Sequence, residues 1–179
     1  MIPNTKQQIS KKRLAIVPAR GGSKRILKKN IRNFHGRPII LRTLQVINES
    51  NLFDEIHVST EDAQIRRIVS EAGFTPRFGR DDSLSGDEVA ISQVVDFVLK
   101  TYNFNSCRFD TIGLIFPTAV FLTVPTLVRA IEYFETLQPG SELLSVSKFP
   151  VPIEWALKKN AQGSLVPSDP KKIKYRSQD

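Results

Sequence analysis

Four consecutive apolar residues, Leu14-Ala15-Ile16-Val17, closed by Pro18 and followed by Ala19-Arg20-Gly21-Gly22-Ser23-Lys24-Arg25, constrain this chain more than any other segment. An unbroken apolar run, without the alternation of a half-exposed strand, reads as a strand covered on both faces. Such strands belong to parallel sheets, and the chain must then supply helices to each side.

The loop after that strand carries the chemistry. Glycines at 21 and 22 permit a tight bend and close approach to a ligand. Arg20, Lys24 and Lys29 offer charge-assisted hydrogen bonds to an anion, with Ser23 and backbone N–H groups able to complete a cradle. Taken alone, these residues allow two readings: a polyphosphate cradle, or an ordinary glycine turn leading into a solvated lysine face. Neither Gly-x-x-x-x-Gly-Lys-Ser/Thr nor Gly-x-Gly-x-x-Gly occurs, so the ordinary nucleotide-fold fingerprints do not apply.

Charge is concentrated in the same region. Residues 1–42 hold 12 of the 26 Lys and Arg and no acidic residue, so a chain of total charge +8 is net −4 over its remainder. A nucleic-acid binder more often pairs cations with aromatics or a reading helix, and here no aromatic precedes Phe34. A small, dense anion suits the pattern better than RNA, which stays as the alternative.

With 179 residues and 40% hydrophobic content, one main domain with a sizeable core is expected. Cys107 is the lone cysteine and excludes an intrachain disulfide; His35 and His57 have no partners at metal-ligand spacing, which argues against structural zinc. Without a bilayer-length apolar run or a signal-like N-terminus, a soluble cytoplasmic protein is the expectation.

Helices are expected from Pro38 through Ile47, from Glu61 to Ala72, through Val89–Val98, and after Pro125. Strands are expected at Glu55–Thr60, Phe74–Phe78, Thr111–Phe116 and Leu143–Val146. This alternation predicts an α/β fold, a Rossmann-like, mostly parallel sheet with helices on both faces, wound right-handedly. Ligands in such sheets lie beyond the carboxyl ends of the strands, where the loop over residues 20–30, the Ser59-Thr60 end and the Pro117-Thr118 end converge. Residues 1–147 are expected to form this domain. Residues 148–179, interrupted by Pro150, Pro152, Pro167 and Pro170, are expected to form an extension with a short pair between Trp155–Leu157 and Leu165-Val166. A second copy of the chain, making a homodimer, is one candidate cover for it, and a frayed terminus is the other reading.

The run Ile-Val-Pro-Ala-Arg-Gly-Gly-Ser-Lys-Arg-Ile-Leu-Lys-Lys-Asn-Ile at 16–31 closely resembles the N-terminal signature of the cytidylyltransferases that activate nonulosonic acids, the sialic-acid-type sugars. The likeness continues through residues 52–60, 116–122 and 145–153 to Arg176-Ser177-Gln178-Asp179. Phe149-Pro150-Val151-Pro152-Ile153 and the terminal Arg-Ser-Gln-Asp are most similar to the pseudaminic acid branch.

The resemblance implies a reaction between CTP and a sugar acid, pseudaminic or sialic, giving CMP-sugar and pyrophosphate with Mg²⁺ as cofactor. It implies catalytic charge neutralisation by Arg20, Lys24 and Lys29, and nucleotide binding by Ala19, Arg20, Gly21, Gly22, Ser23, Lys24, Lys29, Asn30 and Arg80. It places Pro117 and Thr118 on the sugar side and names no metal ligand in this chain. Neither nucleic acid nor membrane is implied as a partner.

The sequence departs from the family in three places. Val89-Ala90-Ile91 is apolar where members carry a hydroxyl residue, and whether Ser92 substitutes for it is open at this point. Leu27 stands where proline is common. Members continue past Arg-Ser-Gln-Asp into a return strand and acidic residues that help bind metal, so the expectation is a C-terminally truncated member. The alternative is a non-catalytic nucleotide-binding remnant or an interaction protein.

Overall fold

The computed structural model describes residues 11–147 and 156–170, which fall into two compact units, one ending at Pro139 and the other beginning at Gly140. In the first unit, β1 (Arg13–Pro18) is the centre of a three-stranded parallel sheet, flanked by β4 (Glu55–Ser59) and β5 (Thr111–Leu114) in the order β4-β1-β5. Ala15 lies opposite both Ile56 and Gly113, and Ile16 opposite both His57 and Leu114.

The central strand explains its own composition. Leu14, Ala15, Ile16 and Val17 are each fully buried because successive side chains enter different cores. Ala15 and Val17 meet Ile40, Leu44 and Ile47 of α1 (Ile39–Ser50), Ile65 and Val69 of α2 (Ala63–Glu71), and Leu127 of α4 (Val124–Glu135). Leu14 and Ile16 meet Val98 and Tyr102 of α3 (Ile91–Phe104), with Phe78, Phe97, Phe109 and Ile112 around them. Each large aliphatic side chain buried this way contributes about 1.5–3 kcal/mol. Helices therefore cover both faces, as the apolar run requires.

Local chemistry sets the boundaries. Asp62 caps α2 by accepting a hydrogen bond from the Ile65 N–H at 2.8 Å, so that helix starts two residues after the expected Glu61. Thr123 caps α4, with Pro125 in its first turn. Between β1 and α1, the strands β2 (Asn33–Phe34) and β3 (Arg37–Pro38) form a minimal hairpin turned by His35 and Gly36, both at positive φ. The smaller unit contains the antiparallel pair β6 (Leu157–Lys159) and β7 (Leu165–Pro167). That pairing joins Leu157 to Leu165-Val166 as the sequence suggested; Trp155 lies outside the described residues.

Two expected strands are absent. Phe74–Phe78 is irregular: Pro76 has no N–H to give a sheet, and Phe78 instead lays its ring 4.3 Å from that of His57. Leu143–Val146 is also irregular, with Leu144 and Val146 largely exposed. Expected segments at 148–155 and 171–179 lie outside the described residues. Among the described residues no helix is long and apolar enough to cross a membrane.

Candidate functional site

At the carboxyl edge of the sheet the three strand ends are tied together. The Ala19 N–H donates to Ser59 O at 2.9 Å, the Arg80 N–H to Thr60 O at 2.9 Å, and the Ile115 N–H to Ile16 O at 3.0 Å. Above this edge opens a cavity of about 450 Å³. One wall is Arg20, Ser23, Lys24, Arg25, Ile26, Lys29 and Asn30 from the loop after β1. Arg80, Leu84, Gly86, Asp87 and Val89 come from the segment after α2, Ile91 and Val94 from α3, and Phe116, Pro117 and Thr118 from the turn after β5.

Of the residues expected at the site, Arg20, Ser23, Lys24, Lys29, Asn30, Arg80, Pro117 and Thr118 line this cavity, while Ala19, Gly21 and Gly22 do not. Ala19 is wholly buried in the core beneath it. Gly21 faces α2: its N–H donates to Glu61 Oε1 at 2.7 Å, and a Cβ there would lie 2.3 Å from Asp62 Oδ2 and 2.9 Å from Asp62 Cβ. Glycine at 21 is thus demanded by a close approach to the α2 cap. Gly22 faces open space. Neither glycine has positive φ; the left-handed residue of the loop is Lys28, at φ 50°, immediately before the short 3-10 turn Lys29–Ile31. Lys28 turns away to Gln64, its Nζ donating to Oε1 at 2.6 Å, while Lys29 lines the cavity and Asn30 is buried. Asn30 Nδ2 donates to Arg20 O at 2.9 Å and so fastens the two ends of the loop together.

Arg80 is 7% exposed and serves as the floor. Its Nε donates to Ser59 Oγ at 3.1 Å and its Nη2 to Ser59 O at 2.7 Å, while Nη1 lies 4.0 Å from Glu61 Oε2. Burial holds the Arg80 pKa below its ordinary value, opposed by the Glu61 carboxylate. Thr43 Oγ1 of α1 donates to Pro117 O at 3.0 Å and fixes the turn that presents Pro117 and Thr118.

The sequence reading missed Asp87, Leu84 and the apolar wall. Asp87 accepts from both loop cations: its Oδ1 lies 2.8 Å from Arg20 Nη2, and its Oδ2 pairs with Lys24 Nζ. Those contacts, the Lys24 hydrogen bond foremost, hold its carboxyl below the usual range. The convergence of the residue 80–87 loop on the same strand edge was the available signal. Val89, Ile91 and Val94 make one side of the cavity hydrophobic, and Ser92 is exposed outside the lining, so no hydroxyl from that segment replaces the one the family carries.

The arrangement joins a cationic wall to an apolar one, which suits a ligand with a polyanionic part and a flat or apolar part. Among the described residues no three His, Cys, Asp or Glu side chains cluster closely enough to hold a metal ion, and Asp87 is engaged with Arg20 and Lys24. These residues do not form a Mg²⁺ cage. A divalent ion would reach this cavity on the phosphate oxygens of a ligand, the usual habit of Mg²⁺.

Comparison with known proteins agrees with the geometry. A family profile described as cytidylyltransferase matches residues 14–164. A pseudaminic acid cytidylyltransferase of Campylobacter jejuni is 34% identical over 94% of this chain, which spans 72% of that protein. A CMP-N,N'-diacetyllegionaminic acid synthase of Legionella pneumophila is 31% identical over 86% of this chain and 65% of its own length. Among solved structures, a CMP:2-keto-3-deoxy-manno-octonic acid synthetase in complex with CTP superimposes with a TM-score of 0.58 at 17% identity. That match covers 70% of this chain and 48% of the other, and it supports the α/β fold.

Proposed function

The chain belongs to the cytidylyltransferase family of nucleotidyltransferases, and from that premise we propose that it transfers CMP from CTP to a nonulosonic acid, pseudaminic acid in the first instance. The anomeric hydroxyl oxygen of the sugar acid attacks the α-phosphorus and gives up its proton to solvent, the bond from that phosphorus to the bridging oxygen breaks, and pyrophosphate leaves with that oxygen. The observation that carries this reading is the wall formed by Arg20, Lys24 and Lys29 at the carboxyl edge of the sheet, with buried Arg80 beneath it.

Phosphoryl transfer of this kind needs positioning and neutralisation of charge more than a nucleophilic side chain. Arg20, Lys24 and Lys29 neutralise the triphosphate and the departing pyrophosphate, and Ser23 and Asn30 complete that cradle. Ala19, Gly21 and Gly22 act by shaping the loop's backbone. Arg80, rigidly seated on Ser59, sets the depth to which the nucleotide enters. Pro117 and Thr118 face the sugar acid from the opposite rim. Magnesium, carried on the phosphates, would add further neutralisation.

Support for pseudaminic acid comes from the Campylobacter relative, and for the wider nonulosonic class from the Legionella one. The test is pyrophosphate release from CTP and Mg²⁺ with pseudaminic acid and N-acetylneuraminic acid offered separately. Release with pseudaminic acid is expected. Heat on CTP titration without pyrophosphate from either sugar would overturn transfer, and release with N-acetylneuraminic acid alone would overturn the choice of sugar.

A further inference from the structure

We propose that Asp87 is a built-in competitor for the anion this site binds: its carboxylate occupies Arg20 and Lys24 in the free protein and must leave them when a polyphosphate arrives. This rests on the reading of the cavity as a triphosphate site.

The geometry is that of a substitute ligand. The two carboxylate oxygens are divided between the two cations, Oδ1 with Arg20 and Oδ2 with Lys24, as two oxygens of a phosphate would be. The same loop also takes the other end of the guanidinium, because Arg20 Nη1 donates to Gly86 O at 3.1 Å. One displacement of residues 86–87 therefore frees Arg20 and Lys24 together.

The loop is built to move as a short piece. It is anchored upstream by buried Arg80 and downstream by α3, while Gly86, Asp87 and Glu88 between them are exposed. Ser85 Oγ is buried without a hydrogen-bond partner among the described residues. A buried hydroxyl left unmatched is a cost that the observed loop position bears.

The consequence is twofold. With Asp87 in place the cations stay ordered without an anion bound, and the affinity for any polyphosphate is lowered by the strength of the contacts it must replace. The product pyrophosphate then leaves more readily, since Asp87 returns as it departs.

Calorimetric titration with inorganic pyrophosphate and, separately, CTP tests this on wild type, Asp87→Asn, Asp87→Ser and Glu88→Gln. Exposed ion pairs are weak, so losing two of them should tighten pyrophosphate binding roughly three- to thirty-fold in both Asp87 variants. Glu88→Gln removes the same formal charge from the next residue and should change affinity less than about twofold, a control for the general field. Thermal melting confirms that each variant folds. Pyrophosphate affinity in the Asp87 variants equal to that of Glu88→Gln, or weaker than wild type, overturns the proposal, and so does a failure of all four proteins to bind pyrophosphate. Pyrophosphate binding without CTP binding sinks the nucleotide reading alone, and the ratio between variants still decides the role of Asp87.

Discussion

Acidification should destabilise this protein through His57. Its ring is 1% exposed within the sheet, flanked by Phe78 at 4.3 Å and Tyr102 at 5.5 Å between centroids, and its Nε2 is buried with no hydrogen-bond partner among the described residues. Its Nδ1 lies 3.4 Å from the Tyr102 hydroxyl, which also donates to Glu55 Oε1 at 3.2 Å. Burial is the main force against protonation, and the charges of Arg80 and Arg77 add to it, so the pKa falls from 6.5 to about 4. The unfolded chain takes up the proton near 6.5 and the folded one only near 4. The stabilisation is therefore complete above pH 6.5 and is lost as the pH falls from there through 4. At about 1.4 kcal/mol per pH unit, the whole effect is about 3 kcal/mol, of which about 2.5 has gone by pH 4.5. That is a large part of the 5–15 kcal/mol, roughly, that holds a typical domain together. Urea denaturation at intervals from pH 8 to 4.5 measures it, with His57→Gln as the comparison. The variant starts from a lower stability, so the slope is the quantity to compare: it should flatten between pH 6.5 and 4.5. An unchanged slope in His57→Gln would refute the assignment.

Three further outcomes follow from the site. Arg20→Ala and Lys29→Ala should each weaken CTP binding by about 1.5–3 kcal/mol, the range for charge-assisted hydrogen bonds, with little change in melting temperature; unaltered calorimetric affinity would remove them from the phosphate cradle. Arg80→Met should instead cost about 2–4 kcal/mol of stability, read by urea midpoint, because it takes away the guanidinium that donates to the buried Ser59 hydroxyl and leaves Glu61 without its cation. Gly21→Ala should displace Asp62 and lose about 1 kcal/mol through the α2 cap, visible in the same denaturation curves, whereas Gly22→Ala should be nearly neutral.

Much of this fold is written in local sequence. The run Leu14–Val17 has no polar interruption because both of its faces are covered, and Pro38, Pro125 and Gly73 mark helix ends for the stereochemical reasons that proline and glycine always do. The cations of the β1 loop were also legible: they belong to the twelve basic residues of 1–42, a stretch without one carboxylate to pair them locally. A partner for Arg20 and Lys24 is internal, and although the place of its loop could be inferred from the sequence, the pairing itself could not. Asp87 lies 67 residues beyond Arg20 in the chain, and only the parallel crossover brings their loops to one edge. The resemblance pointed to Arg80, which does line the cavity, but its burial was not legible, since that depends on the Ser59 carbonyl accepting from its guanidinium. Phe74–Phe78 misled because two aromatics four residues apart suit one face of a strand, whereas Phe78 meets the His57 and Tyr102 rings and Phe74 packs against the opposite core. The apolar Val89-Ala90-Ile91 segment, conspicuous in sequence as a missing hydroxyl, proved to furnish Val89 and Ile91 to the cavity wall.

The central claim is that the cavity above β1 holds a nucleoside triphosphate by its phosphates. A crystal structure of this chain with CTP tests it most directly. The triphosphate should lie between Arg20, Lys24 and Lys29 with the nucleoside toward Arg80. A nucleotide bound elsewhere, or one whose phosphates point away from these three cations, would contradict it.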